Sequence, residues 1–345
     1  MHTFVLNINM QKRITIKDIA FELNVHHSTV SRALRNDQRV KEETRELILN
    51  YAREHDYQTN MNALQLRGKT NNTIALIVPN INHNFFSDIV SKLTNLGYAN
   101  GYVISVFQTN EKYQLEREII NTIIKYNFAG VIVSIAKDTL QCDHFALLKK
   151  YAIPLVFFDR ICEDILTPKV KINNFEITAE ITEYLIKKGY KKIVHLTGTT
   201  NINVFRDRQN GYESMIRNYE MEYKNSLQVS DDFTVEVGKD IFMKLWRQSP
   251  RPDAIISSSV HLTIGILVEA RSLGVQIPKD LGIITFGRIV SSEIIEPQIT
   301  FIDQQESEIA QLSFELLVKM IRHEIQLGES IEKIVRSQII YKSSC

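Results

Sequence analysis

The side chains best placed to do chemistry lie between Thr15 and Leu34, in TIKDIAFELNVHHSTVSRAL. His27, Ser28, Ser31 and Arg32 fall on the outward face of a short helix that turns Val30, Ala33 and Leu34 inward. Polar side chains on such a face can hydrogen-bond base edges, and an arginine suits a guanine. The preceding helix places Ile16, Ile19, Ala20 and Leu23 on one side. Between the two, Asn24 tolerates the positive φ of a tight turn, and Val25 plugs the core. This is the pattern of a helix-turn-helix, whose second helix enters the major groove by its N-terminal end. A third helix, Lys41 to His55, brings Leu47, Ile48 and Tyr51 to close a three-helix core.

Asp159 and Arg160 form a second polar group, at the carboxyl end of the apolar run 153–159. Ligands of open α/β sheets bind at that end of the strands. The chemistry of catalysis is not expected. The chain has no G-x-S-x-G and no dinucleotide G-x-G-x-x-G, and Ser257 to Ser259 have no neighbouring base in sequence. No Cys/His cluster has zinc spacing, so neither a metal nor another cofactor is expected. Gly68-Lys69-Thr70 imitates the end of a phosphate-binding loop, but Ala63 stands where that loop needs glycine. Cys142, Cys162 and Cys345 are scattered and odd in number, and read as buried or idle thiols in a reducing cytoplasm.

Larger elements must position these groups. At 345 residues the chain exceeds one ordinary core, and 44% apolar residues suffice for several. The net charge is only +1, yet between Lys12 and Lys69 there are 11 basic against 8 acidic residues, a mild excess that suits DNA contact. No apolar run approaches a membrane span, and the start has no secretory pattern. The expected divisions are a tail over 1–13, a helix-turn-helix domain over 14–58, a linker over 59–71 and an α/β domain over 72–345.

In the α/β domain, apolar runs at 74–79, 102–107, 130–135 and 153–159 alternate with helical stretches. A second round begins at 170–173 and continues through 192–198, 254–258 and 282–286. Unalternating apolar strands separated by helices make parallel sheets covered on both faces. The fold class is therefore α/β: an all-α headpiece, then two doubly wound parallel-sheet subdomains facing across a cleft. The first subdomain is expected to take 72–168 and 299–330, the second 169–298 and 331–345, with several hinge strands between them.

The same residues closely resemble the LacI/GalR (lactose-repressor) family. Its pattern T-I/L-x-D/E-V/I-A, then V-S-x-x-T-V-S-R, is met by Thr15, Ile16, Asp18, Ile19, Ala20, Val25, Thr29, Val30, Ser31 and Arg32. Val40, Glu43, Thr44 and Arg45 follow it, and Tyr57, Asn60, Ala63 and Leu66 match its hinge pattern Y-x-P-N-x-x-A-x-x-L. The resemblance implies a cytoplasmic, nucleoid-associated regulator with a periplasmic-binding-protein-like sensor. It would act as a homodimer, or a tetramer, on a near-palindromic double-stranded operator. His27 and Ser28 would vary with operator sequence, with Arg32 beside them, and Thr15, Thr29 and Ser31 would anchor phosphates. Asn60 and Ala63 lie in the hinge segment, where Leu66 would wedge into the minor groove.

Later landmarks are IVPNINHNFFSDI at 77–89, VFFDR at 156–160, KINN at 171–174, RDRQNGY at 206–212 and PKDLGIITFG at 278–287. They imply a carbohydrate-derived effector, with Phe85 stacking on it and Asp159, Arg160 and Arg208 bonding its polar groups. Trp246, beside Phe242 and Leu245, reads as core. The chain also departs from the family. His26 replaces the serine that caps the second helix, Thr59 the hinge proline, and Leu64 a basic residue. An Asn-Asp pair has become Ser259-Val260, and the aspartate of G-F-D has become Gly287, followed by Arg288. A lost carboxylate and a gained arginine suggest a sugar acid or sugar phosphate.

Overall fold

The structure, a computed structural model, describes residues 14–57, 71–221, 227–230, 232–290 and 296–345. The expected tail and hinge, with Asn60, Ala63 and Leu66, lie outside the described residues. The chain divides into two compact units, Met1–Thr70 and Asn71–Cys345.

In the first unit, α1 spans Ile16–Glu22, α2 His27–Ala33 and α3 Glu42–Glu54. Ile19, Val30, Ala33 and Ile48 are fully buried where the three helices meet, with Leu23 and Val25 packed alongside. Asn24 takes φ 50° between α1 and α2. Leu47, expected inside, is instead 52% exposed, because Ile48 takes the inward position on α3.

The second unit holds β1 (Thr73–Val78), α4 (Asn84–Ala99), β2 (Val103–Gln108), α5 (Tyr113–Lys125), β3 (Gly130–Val133), α6 (Asp143–Lys150), β4 (Leu155–Phe158) and β5 (Lys169–Ile172). These are followed by α7 (Asn174–Lys187), β6 (Ile193–Thr197), α8 (Asn203–Asn218), β7 (Leu227–Val229), α9 (Val235–Trp246), β8 (Ala254–Ser257), α10 (Val260–Ser272) and β9 (Gly282–Phe286). The last elements are β10 (Thr300–Asp303), α11 (Glu306–Ile321), β11 (Glu332–Val335) and β12 (Gln338–Ile340).

Among the described residues the strands form two sheets, ordered β11-β5-β4-β3-β1-β2 and β12-β10-β9-β8-β6-β7. The pairings are parallel except β10 with β12. Both faces of each sheet are covered, which explains the continuous apolar strands. In β1, Ile74, Leu76 and Val78 join the core under α4 and α11, while Ala75 and Ile77 join the core under α5 and α6. The second sheet is covered by α9 and α10 on one face and α7 and α8 on the other. Gly238 and Gly265 let α9 and α10 touch backbone to backbone: a Cβ on Gly265 would lie 2.1 Å from the Val235 carbonyl oxygen. No helix among the described residues is long and apolar enough to cross a membrane.

The expected subdomain boundaries need correction at three strands. β5 belongs to the first sheet, with Phe158 opposite Val170, because the chain returns from β4 without an intervening helix. β10 belongs to the second sheet, although α11 packs on the first. β11 pairs with β5 in the first sheet, and β12 returns to the second. The chain therefore crosses between the lobes after β5, after β10 and after β11. Two of these crossings are tied together, since Asn173 N donates to the Val335 carbonyl (3.3 Å) and Asn173 Oδ1 accepts from Ser337 N (2.8 Å).

The cysteines also differ from expectation. Cys142 and Cys162 form a disulfide with their Cα atoms 6.1 Å apart, and Cys345 is free. The fold brings the start of α6 against the segment leaving β4, a proximity that a 20-residue separation in sequence conceals.

His195, on β6, is fully buried beside Tyr212, and its Nδ1 has no hydrogen-bond partner. Burial first, and the Arg208 charge second, push its pKa down from 6.5 to about 3. The unfolded chain therefore takes up this proton first, so the stability that neutral His195 contributes is lost as pH falls from about 6.5 towards 3. Urea unfolding should show the wild type losing about 2 kcal/mol between about pH 7.5 and about pH 5 that the His195→Gln variant does not lose. Equal losses in both proteins would contradict this account.

Candidate functional sites

In the first unit, the start of each reader helix is fixed by its own side chains. Thr15 caps α1 in a reciprocal box: Thr15 N donates to Asp18 Oδ2 (2.7 Å), and Asp18 N donates to Thr15 Oγ1 (3.3 Å). Thr15→Ala should cost the unit about 1 kcal/mol in chemical denaturation, the usual worth of such a cap. His26 caps α2 in place of the family's serine, its Nδ1 accepting from Ser28 N (3.3 Å). The Ser28 hydroxyl lies 2.8 Å from the same nitrogen. The imidazole thus both starts the helix and orients a predicted reading residue.

His27 and Arg32 are exposed, and Ser28 and Thr29 are half-buried. Ser31 departs from expectation. It is buried, and Arg35 folds over it, donating from Nε to the Ser31 carbonyl (2.8 Å) and from Nη2 to its hydroxyl (3.2 Å). Arg35, absent from the expected set, occupies the outward position assigned to Ser31. The i, i+4 spacing of the two residues was the signal available in the sequence.

In the second unit, a cavity of about 490 Å³ opens between the lobes at the carboxyl ends of the strands. It collects all the predicted effector residues: Phe85, Asp159, Arg160, Arg208, Ser259 and Arg288. Arg208, on α8, is buried with its guanidinium 3.6 Å from the Phe286 ring centroid. Its Nε donates to Asn174 Oδ1 (2.7 Å) and its Nη2 to Gln304 Oε1 (2.9 Å). Asn174 follows the first crossing and Gln304 lies in the second, so Arg208 joins two hinge segments at the cavity wall. Burial brings its pKa down to about 9, opposed by the nearby Asp159.

Asp159 is buried at φ 57°, and desolvation pushes its carboxyl up despite Arg160 and Arg208. The Asn203 side chain straps this segment to α8, with Nδ2 donating to the Asp159 carbonyl (3.0 Å) and Oδ1 accepting from Ile161 N (3.0 Å). Arg160 is committed to Glu111, its Nη1 lying 3.0 and 2.8 Å from the two carboxylate oxygens. Phe85 is partly buried and meets Phe86 edge to face. Ser259 caps α10, its hydroxyl accepting from His261 N (3.3 Å). Arg288 is exposed in the field of Glu306, whose carboxyl is raised by burial and further by Asp303 and Asp88. Gly287 holds φ 86°, a conformation that disfavours any side chain, including the family's aspartate.

Sequence reasoning missed Phe286, Asn174, Gln304, Glu111 and the pair His83 and His261. Asn174 and Phe286 stood inside the landmarks KINN and PKDLGIITFG, so their neighbourhood was visible but their contacts were not. Trp246 does not line the cavity. It stacks on Phe242, 5.4 Å between centroids, at the edge of the second lobe's core.

A three-helix unit with a polar second helix, followed by a hinged two-lobed binding unit, defines a ligand-responsive DNA-binding regulator. Comparison with known proteins agrees. Residues 15–60 match the profile of bacterial regulatory proteins of the lacI family. Residues 71–343 match that of periplasmic binding proteins and the sugar binding domain of the LacI family. The chain belongs to the LacI family of transcriptional regulators. It is 28% identical over 330 residues to the NTD biosynthesis operon regulator NtdR of Bacillus subtilis (strain 168), covering 96% of this chain and 99% of the relative. It is also 28% identical over 310 residues to the ribose operon repressor of Halalkalibacterium halodurans, covering 89% and 90%. The lac repressor dimer bound to operator and the anti-inducer ONPF shares the fold, with a TM-score of 0.84 at 18% identity, over 96% of this chain and 99% of the other.

Proposed function

We propose that the protein is a cytoplasmic repressor that binds a near-palindromic operator as a homodimer and is controlled by a carbohydrate effector held between the lobes of its second unit. In this reading His27, Ser28 and Arg32 meet base edges while Thr15 and Thr29 position the helices on phosphates. Asn60, Ala63 and Leu66 extend the contact through the hinge. The operator and effector functions of the LacI relatives support the assignment, and catalysis has no part in it.

The observation that carries the effector reading is the buried Arg208, stacked on Phe286 and tied to both Asn174 and Gln304. A ligand reaching Arg208 acts on two hinge segments together, which supplies the differential contact that coupling between two sites requires. The surrounding charge favours a neutral or amine-bearing sugar over a sugar acid or phosphate. Four carboxylates line the cavity (Asp88, Asp159, Asp303 and Glu306) against three arginines, of which Arg160 is neutralised by Glu111. Fluorescence anisotropy on operator DNA, with neutral sugars, amino sugars and sugar phosphates added in turn, tests this reading. A neutral or amine-bearing sugar should change the affinity at least tenfold. Response to sugar phosphates alone would overturn the charge argument, and response to none would overturn the effector assignment.

A further inference from the structure

The histidine that stands in the family's serine position does more than start α2. Two groups of Ser28 approach the same imidazole nitrogen: its backbone N–H at 3.3 Å and its hydroxyl oxygen at 2.8 Å from His26 Nδ1. A backbone N–H can only donate, so Nδ1 must present its lone pair, and in the neutral ring the proton then sits on Nε2. The hydroxyl facing that lone pair must donate to it as well. The ring is steadied on its other side by His27, with 4.1 Å between ring centroids.

This arrangement settles which way Ser28 can be used. A serine hydroxyl has one proton to give and two lone pairs to offer. With the proton held by His26, only the lone pairs face outward. To donate elsewhere, the hydroxyl would have to leave Nδ1, exchanging one hydrogen bond for another and gaining none. To accept, it keeps the first bond and adds a second. Ser31, the other serine of α2, is buried with its hydroxyl under Arg35, whereas Ser28 is half-buried and stays accessible.

In the major groove the difference carries sequence information. Adenine N6 and cytosine N4 donate, whereas guanine N7 and O6, thymine O4 and adenine N7 accept. A serine free to rotate its hydroxyl meets either kind of group. We propose that His26 is a specificity-determining positioning residue: by holding the Ser28 proton it makes Ser28 an acceptor only, so that Ser28 recognises the exocyclic amino group of adenine or cytosine and rejects keto and ring-nitrogen acceptors. The proposal rests on the reading of α2 as the helix that meets base edges and specifies what one of its side chains recognises there.

The test begins with selection from random duplex DNA by the full-length wild type and by Ser28→Ala; the position whose preference the variant loses is the one Ser28 reads. Every base pair carries one amino and one keto group in the major groove, so each can be deleted there in turn. Purine for adenine, or 2-pyrimidinone for cytosine, removes the amino group. 5-Methyl-2-pyrimidinone for thymine, or 2-aminopurine for guanine, removes the keto oxygen. Fluorescence anisotropy is measured in buffer above the ordinary titration range of histidine. Loss of the amino group should weaken the wild type at least about tenfold and Ser28→Ala by no more than about twofold. His26→Gly, a residue tolerated at helix caps, should relax the preference at that position while preferences elsewhere in the half-site persist. A merely structural role for His26 would weaken binding to all sequences alike. Coupling of Ser28 to the keto oxygen, or to neither group, overturns the proposal and leaves DNA reading by α2 standing. So does an undiminished amino preference in His26→Gly. A pool from which the wild type enriches no motif overturns the reading of α2 and the proposal together.

Discussion

Replacing Arg208 by Met should leave a protein that binds its operator but no longer responds to effector. The guanidinium is buried, stacked at 3.6 Å on Phe286 and bonded to Asn174 and Gln304. Methionine fills much of the volume but leaves two side-chain carbonyl oxygens without this donor and removes one of the two arginine charges that oppose the desolvation of Asp159. A hydrogen bond to a charged group is worth about 1.5–3 kcal/mol, so an effector that bonds the guanidinium twice should lose at least about 100-fold in affinity with it, while the loss of the bonds to Asn174 and Gln304 lowers the stability of the unit. Lysine should rescue little, because an ammonium cannot make the planar stack together with both bonds. Calorimetry with the effector and anisotropy with operator DNA, on Arg208→Met and Arg208→Lys, check the expectation. A Met variant with normal effector response would remove Arg208 from the coupling path.

The second large effect belongs to the headpiece. Ile48 is fully buried in a core whose other fully enclosed apolar side chains are Ile19, Val30 and Ala33. Truncating such a side chain to alanine costs about 2–5 kcal/mol. A unit of this size has little more to lose, since stability runs at roughly 0.05–0.15 kcal/mol per residue. Ile48→Ala should therefore unfold most of the headpiece at physiological temperature and lower operator affinity by at least about 100-fold, while effector binding stays within about twofold of wild type. The same substitution at the exposed Leu47 should change stability by no more than about 0.5 kcal/mol. Parallel denaturation and anisotropy on the two variants separate the cases; a Leu47→Ala as damaging as Ile48→Ala would refute the assigned core.

How much of this was legible in the sequence follows from how local each feature is. The helix-turn-helix could be read residue by residue, because Asn24, Val25 and the inward Val30 and Ala33 act within a few positions of one another. Most strands were equally legible, since β1 to β4 are mainly apolar, but the short β7 was not expected. Sheet membership was not. Whether β5, β10 and β11 belong to one lobe or the other depends on pairings such as Phe158 with Val170 and Glu332 with Lys169, and periodicity carries no information about such partners. The Cys142–Cys162 disulfide was hidden for the same reason.

The effector site was half legible. Its predicted members do line one cavity, but the contacts they make give several of them other roles. Arg160 is held by Glu111, and Ser259 is engaged in capping α10. Arg288 lines the cavity with Asp88, Asp303 and Glu306, and these carboxylates weigh against an anionic ligand in the proposed reading. Arg208 gained weight because its partners Asn174 and Gln304 lie at lobe crossings that only the topology reveals. In the headpiece, His26 itself supplies the cap that serine gives in the family, and Arg35 took the surface position expected for Ser31.

Selection of bound sites from a random pool of duplex DNA by the purified full-length protein, at physiological salt, tests the central claim most directly. Enrichment of a near-palindromic motif is predicted, with its half-sites about one helical turn apart. The half-site preference should shift when His27 or Ser28 is replaced. A pool that stays random through successive rounds, with and without added sugars, would contradict the account at its root.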